Sequence, residues 1–482
     1  MKNCFDKQEA RGRQRLLQDV DRFIEKHDLL GKRDTVVVGV SGGPDSIALL
    51  HYLTNALSDY QLSVIAAHMN HELRGEESLE DLAFVERYCK QEGITFEASS
   101  EDVGRYKEVH QLSTQVAARE CRYHFFEQVM ERYHANALAL AHHGDDQIET
   151  MLMRQVHGST GAGLAGMPVK RPFSTGMIIR PFLGITKEQV LDYCDTHSLS
   201  YRIDPSNSSD RYVRNRFRHH VLPFLKEENP SVHLRYQLYS ERLQSDEQYL
   251  MQQASAHLED VIVEQNDKFV KLDIKSLQSL PIPLQRRVIH LILNYLYTGN
   301  APFSSIHIED LRLMFDSEHP SASLNLPLEL RAVKSYTTCY FSFETFLHPE
   351  PYEYHLSLRG SVETPLGTIT AVPIDSIPPQ LSPNDLIMEE VAFPLVVRSR
   401  HSGDRIQPKG MIGTKKVKDI FIDRKIDRSE RDVWPIVEDR MGHIIWVAGV
   451  TRSEKATLSA KKNKLVHLHY AKKLHRLGGQ YH

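Results

Sequence analysis

Cysteine is scarce in this 482-residue chain. The five present, Cys4, Cys89, Cys121, Cys194 and Cys339, are scattered and no two have Cys-x-x-Cys spacing. That argues against a disulfide framework, a zinc ribbon or a cysteine-held iron–sulfur cluster. No His-Glu-x-x-His occurs, although His142-His143 and His219-His220 are adjacent pairs, so surface or hydrogen-bonding roles are the ordinary reading of the histidines. No run is long and apolar enough for a membrane span, and no charged-then-apolar leader opens the chain. A cytoplasmic protein with no membrane partner is expected. Also missing is a glycine loop closed by Gly-Lys-Ser/Thr, which disfavours simple γ-phosphate transfer.

What is present is an uneven charge. The net is −4, yet Leu395 to His482 holds 20 Lys/Arg against 9 Asp/Glu, a net of +11 that leaves −15 on the other 394 residues. A basic end suits a phosphate-bearing partner, and a solvated basic face explains it equally well. The length suggests about three domains. After a polar helical lead-in at Gln14–His27, strand-like runs at Val36–Val40, Ser63–Ala67, Thr95–Ala98 and Ala137–Ala141 alternate with helical patterns near Ser46–Leu57, Ser78–Gln91, Thr114–Arg132 and Gln147–Gln155. Such alternation predicts an α/β domain with a parallel sheet covered on both faces. Long helical patterns follow, Leu234–Val261 and Leu284–Tyr297, with little strand signal before Arg331. Prolines recur between Pro349 and Pro383, and the basic end mixes short strand-like stretches with a charged middle. The expected order is a Rossmann-like domain over 1–218, a mostly helical domain over 219–348, a proline-rich junction over 349–384 and a small α+β domain over 385–482.

Within the first strand-to-helix junction stands Ser41-Gly42-Gly43-Pro44-Asp45-Ser46. A parallel strand that feeds a glycine-rich turn into a helix N-terminus makes an anion site, because unpaired N–H groups and the positive helix end point outward together. Gly42 and Gly43 permit close approach of the backbone, and Pro44 suits a position that needs no N–H. Asp45 repels a bare polyphosphate but can hold the Mg²⁺ that accompanies one. His68, Asn70, His71 and Arg74 follow the second strand, where an open α/β sheet meets its ligand. A polar loop before a helix capped by Ser78 explains the same residues. Asp145 and Asp146 follow the fourth strand, as a solvated helix start, as Mg²⁺ ligands or as a base.

Ser41–Ser46 resembles the PP-loop of the N-type ATP pyrophosphatases, which bind ATP, attach AMP to a substrate oxygen and release pyrophosphate. Further stretches narrow this: "AAHMNHELRGEESLEDLAFV", "AARECRYHFF", "ALAHHGDDQIETMLMR", then Gly158–Met167, Tyr201–Pro223 and Ser402–Ile426. Together and in this order they resemble the long form of the tRNA(Ile)-lysidine synthetase family over most of the chain. Related thiolases are expected to carry catalytic or cluster-binding cysteines, and this chain lacks Cys-x-x-Cys. The resemblance implies ATP and Mg²⁺ as cofactors, with L-lysine and the CAU-anticodon tRNA(Ile) as partners, and is compatible with a homodimer. It implies that the wobble cytidine's 2-oxo group, a poor leaving group, is adenylated and then displaced by lysine's ε-amine. Asp45, Arg119, Arg122, Asp145 and Asp146 would be catalytic, with Asp45, Asp145 and Asp146 around Mg²⁺. Ser41, Gly42, Gly43, Pro44, Asp45, Ser46, His68, Asn70, His71 and Arg74 would bind ATP. Arg202, Arg211, Arg214, Asn215, Arg216 and Arg218 are expected near the anticodon. Arg400, Arg405, Lys409, Lys415, Lys416 and Lys418 are expected as positioning contacts toward the acceptor end. A small-molecule adenylating ligase would not need these basic stretches, and an inactive tRNA-binding protein would not need an intact Ser41–Ser46 with both aspartates.

Overall fold

The computed structural model describes residues 18–72, 75–203, 209–210, 212–298, 302–343, 350–378, 380–389, 392–426, 428–456 and 465–473. The chain divides into two compact units, Met1–Tyr249 and Leu250–His482. Among the described residues no helix is long and apolar enough to cross a membrane.

The first unit is built on β1 (Thr35–Gly39), β2 (Ser63–Asn70), β3 (Thr95–Ser100), β4 (Ala137–Ala139), β5 (Lys170–Phe173) and β6 (Gly176–Ile179). Their order is β3-β2-β1-β4-β6-β5, parallel except where β5 runs antiparallel to β6. Val36, Val37 and Val38 of β1 are wholly buried, as a central strand covered on both faces requires. On one face pack α1 (Pro44–His51) and α2 (Glu76–Glu92), which contribute Ile47, Leu49, Leu50 and Val85. On the other lie α3 (Val103–His110) and α4 (Thr114–Tyr133), with Phe125, Phe126, Val129 and Met130 in the core. Strand order reverses between β1 and β4, so the crevice at their carboxyl ends is where such a sheet receives a ligand.

After β4 comes α5 (Gly144–Val156), and after β6 comes α6 (Lys187–Thr196). Three consecutive helical segments, Val213–Arg216, Phe217–Val221 and Leu222–Glu228, form α7, and α8 is Val232–Ala256. The middle segment of α7 is a widened π turn just ahead of Pro223, a residue that cannot donate to the preceding helical turn. Two helix starts differ from expectation. α2 opens on Gly75, whose φ of +57° suits glycine, so Ser78 sits in the first turn instead of capping it. α5 starts three residues earlier than its apolar pattern suggests, because His143 and Asp146 form a reciprocal cap.

The second unit carries strands the sequence barely signalled. β7 (Ile262–Asn266), β8 (Phe269–Asp273), β9 (Ser321–Asn325), β10 (Arg331–Ser335) and β11 (Thr338–Ser342) form an antiparallel sheet in the order β7-β8-β11-β10-β9. On it pack α9 (Ile282–Leu296) and α10 (Ser305–Asp316), through Val288, Ile289, Ile292, Leu293, Leu311 and Phe315. The edge strand β9 is a short polar SASLN, which is why it escapes a pattern search. Beyond it, β12 (Glu353–Leu356), β13 (Ser361–Thr364), β14 (Gly367–Ile374), β15 (Asp385–Glu389), β16 (Leu395–Arg398), β17 (Arg405–Ile406), β18 (Lys415–Lys416), β19 (Ile436–Glu438), β20 (Ile444–Val447), β21 (Thr451–Arg452) and β22 (Leu465–Lys472) complete the unit. They make a five-stranded sheet, β12-β16-β19-β20-β21, a four-stranded sheet, β13-β14-β22-β15, and the ribbon β17-β18. Trp446, Leu395, Val397, Ile369, Leu468 and Tyr470 fill a shared core. The proline-rich stretch thus contains strands. Pro373 lies beyond the part of β14 that pairs with β13, where its missing N–H leaves no gap in that ladder.

Candidate nucleotide and nucleic-acid site

The turn after β1 is held by its own hydroxyls. Ser46 Oγ accepts from the Ser41 N–H at 3.1 Å and donates to the Gly43 carbonyl at 3.0 Å, while the Gly43 N–H reaches Ser41 Oγ at 3.4 Å. Gly42 has φ +86°, a conformation that a side chain would strain. Gly43 is the N-cap of α1 with no side-chain cap bond, and Pro44 is at its first position, so the open end of the helix is left for an anion. The Arg202 N–H donates to the Gly42 carbonyl at 2.9 Å and latches this turn.

A cavity of about 630 Å³ opens above it. Its wall includes Ser41, Asp45, Ser46, His68, Asn70, His71, Asp81, Arg122, Tyr123, His142, Asp146 and Tyr212. Residues read from separate motifs therefore meet at the point where strand order reverses. His68 hydrogen-bonds the Val40 carbonyl through Nδ1 at 2.9 Å, and Asn70 reaches Ser100 Oγ at 3.2 Å. Burial, followed by the charge of Arg122, pushes His71 down to about 4. Burial likewise pushes His142 down to about 3, although Asp146 opposes it. Both imidazoles are neutral at physiological pH.

The two adjacent aspartates part company. Asp146 lies on the cavity wall, with Oδ2 3.4 Å from His143 Nε2; Asp45 Oδ1 is 3.9 Å from the same nitrogen. Burial opposes ionisation of Asp146, yet His143 and then Arg214 hold its carboxyl well below the usual range. Asp145 is not on the wall: its Oδ2 accepts from Lys226 Nζ at 2.8 Å and from the Lys187 N–H at 3.2 Å, at the start of α6. Lys187 Nζ meanwhile donates to Asp45 Oδ1 at 2.6 Å.

Arg214 and Arg218, one turn apart on α7, reach the acids one turn apart on α5. Arg214 donates to Glu149 at 2.7 Å and Asp146 at 2.9 Å; Arg218 does so at 2.7 and 3.3 Å. Glu149, 1% exposed, is the residue that sequence reasoning missed. Its signal was available as the third carboxylate on one face of a helix whose first turn carries Asp145 and Asp146. Arg202 is engaged by Glu80 and Asp81, Asn215 is buried against the Ser209 carbonyl, and Arg216 reaches the Asp210 carbonyl. Arg119 stacks its guanidinium 4.5 Å from the Tyr123 ring centre. Arg74 and Arg211 lie outside the described residues.

In the second unit, Arg400 pairs with Asp432, Lys415 with Asp423, and Arg405 donates to Thr414 Oγ1 at 2.9 Å. Lys409, Lys416 and Lys418 have no side-chain partner among the described residues.

Three family models match the chain: a PP-loop domain over residues 13–225, a TilS substrate binding domain over 272–340 and a TilS substrate C-terminal domain over 395–470. The tRNA(Ile)-lysidine synthase of Bacillus cereus (strain ATCC 10987) is 45% identical over 465 residues, 95% of this chain and 97% of that protein. The chain belongs to the tRNA(Ile)-lysidine synthase family. The synthases of Bacillus subtilis (strain 168) and Geobacillus kaustophilus are 48% and 44% identical, covering 91% of this chain and 94% and 95% of theirs. Among solved structures, a TilS C-terminal domain is 36% identical over 26% of this chain and 98% of its own, at a TM-score of 0.25. A U34-tRNA thiolase, NcsA from Methanococcus maripaludis, is 20% identical over 48% and 80%, at 0.42. In this tRNA(Ile)-lysidine synthase-family chain, the glycine turn and Asp146 face one cavity within the matched PP-loop domain.

Proposed function

We propose that this enzyme uses ATP to join L-lysine to C2 of the wobble cytidine of a CAU-anticodon tRNA(Ile), forming lysidine with release of AMP and pyrophosphate. Codon reading then changes from AUG to AUA and identity from methionine to isoleucine. The observation that carries this reading is the convergence of the Ser41–Ser46 turn, His68, Asn70, His71, Arg122 and Asp146 on one cavity in a chain of this family.

The open N-terminus of α1 and the N–H groups of the turn receive the pyrophosphate portion of ATP. The cytidine 2-oxygen attacks the α-phosphate and pyrophosphate leaves. The amine then adds at C2 and AMP departs with the oxygen. Asp45 and Asp146 are hard oxygen donors gathered around one imidazole; they would hold Mg²⁺, which would offset charge on the phosphates. A carboxyl held as low as Asp146 is a poor proton acceptor at neutral pH, so its part is to hold charge. Lysine arrives with an ε-amine of reference pKa about 10.4 and must shed its proton before it attacks. Asp145, engaged by Lys226, fastens α7 to the start of α5. Arg122 lines the cavity without a carboxylate and faces the developing negative charge. Lys409, Lys416 and Lys418 meet tRNA phosphates at the basic end. The enzyme works in the cytoplasm, and a homodimer is compatible with this reading.

The test is pyrophosphate release with ATP, Mg²⁺ and unmodified CAU-anticodon tRNA(Ile), with and without L-lysine, followed by mass analysis of the anticodon nucleoside. Lysine at the wobble cytidine is the expected result. An active preparation that binds this tRNA, releases no pyrophosphate and leaves the base unchanged would overturn the assignment.

A further inference from the structure

Five arginines gather on the β4–β6–β5 side of the cavity: Arg119 and Arg122 on α4, Arg154 on α5, Arg171 on β5 and Arg180 just after β6. Arg119 and Arg171 both approach the Tyr123 ring, at 4.5 and 5.6 Å from its centre, and Arg119 Nη2 donates to the Tyr123 hydroxyl at 3.2 Å. Arg154 Nη1 and Arg180 Nη1 donate to carbonyls, those of Gly163 and Gly166 at 3.0 and 2.6 Å and of Pro168 at 2.6 Å, and Arg180 also hydrogen-bonds the Tyr123 side chain. Arg180 is 4% exposed, and its buried Nε has no partner. Among the described residues none of the five meets a carboxylate.

A like-charged group with a buried member, Arg180, is costly unless an anion completes it. Burial already pushes Arg180 down to about 10, which is the mark of that cost. The turn that suits ATP phosphates lies at the end of β1, whereas Arg171 and Arg180 belong to strands on the far side of β4. Arg122 and Tyr123 stand on the cavity wall and join the two regions; Arg154, Arg171 and Arg180 lie beyond that wall.

We propose that Arg119, Arg154, Arg171 and Arg180, ordered around Tyr123, form a second anion site that grips backbone phosphates of the RNA strand flanking the reacting base. This rests on the RNA substrate proposed above. Guanidinium forks suit phosphate oxygens, and contacts of this kind fix register without reading sequence. Tyr123, flanked by Arg119 and Arg171, orients cations here and does not stack on a base.

The experiment measures binding of an anticodon stem-loop RNA carrying CAU to the full chain from about 50 to 200 mM salt, and ATP binding without RNA. R119A and R171A are the informative variants, because neither side chain makes an ion pair whose loss would unfold the protein. Each is expected to bind RNA about tenfold more weakly, with a salt slope smaller by about 0.7, and to bind ATP as the wild type does. R132A, which removes an exposed arginine paired with Glu97, should bind RNA unchanged. Wild-type affinity and slope in both R119A and R171A overturn the proposal. So does loss of ATP binding with RNA binding intact, which would give these arginines to the nucleotide. A wild-type protein that does not bind the RNA at all removes the substrate reading itself.

Discussion

Two groups of cations flank the same cavity under opposite electrostatic rules. On the α7 side, Lys226, Arg214 and Arg218 are each matched to a carboxylate of α5, and Lys187 to Asp45. On the β6 side, Arg122, Arg154 and Arg180 meet no carboxylate among the described residues; Arg154 and Arg180 donate to carbonyls, and Arg180 also to Tyr123. The first group pins α7 across the acids of α5. The second stores unpaired positive charge that suits an incoming polyanion. Residue type is the same in both; pairing is what distinguishes them.

The comparison can be broken most forcefully at Asp146, where the catalytic reading and the pinned helix meet. D146N should lower kcat for tRNA-dependent pyrophosphate release by about 10²- to 10³-fold, measured under saturating ATP and tRNA, while D145N should act mainly through stability. A kcat for D146N within a few-fold of wild type sinks the role given to that carboxylate. Next in size, truncating the paired and the unpaired arginines should shift stability in different directions. R218A strips one guanidinium from the buried Glu149 and is expected to destabilise by about 2 kcal/mol after allowance for the partial exposure of Arg218. R122A removes a charge that meets no carboxylate among the described residues and should be neutral or mildly stabilising in urea unfolding, although it impairs turnover.

Acid should act on the cavity before it acts on the carboxylates. His71 and His142 titrate at about 4 and 3 in the folded chain, below an unfolded value near 6.5. Between pH 6.5 and 4 the unfolded chain therefore binds more protons, and stability falls as pH is lowered through that window. Thermal melts of the full chain should shift down by several degrees between pH 7 and 5, less so in H142Q. An H142Q profile parallel to wild type would remove His142 from the account. The smallest effect belongs to the basic end. K416A with K418A should weaken full-length tRNA binding by about two- to fivefold and reduce the salt slope, whereas K415A, whose charge is already spent on Asp423, should leave the slope unchanged.

Much of the site was legible because its motifs are local. The turn Ser41–Ser46, the run His68–His71 and Asp146 each follow a strand, and an α/β sheet brings strand ends together whatever the connecting helices do. Contacts between distant elements were not legible. Arg214 and Arg218, expected near the anticodon, bind acids about 65 to 72 residues earlier in the chain, a pairing that local pattern does not reveal. Asp145 and Asp146 were indistinguishable until the reciprocal cap with His143 set the rotation of the first turn of α5. The sheet β7–β11 was obscured because its short strands are supported mainly by α9 and α10, a preference that appears only on packing.

The sequence alone determined the family, the parallel sheet of the first unit and the glycine turn at the end of β1, since each is carried by neighbours in the chain whose periodicity or backbone freedom acts locally. Tertiary structure decided which of the many cations are neutralised and which are left unpaired. Pairing depends on two side chains meeting across helices and strands, and a charge has no partner until folding brings one within a few ångströms.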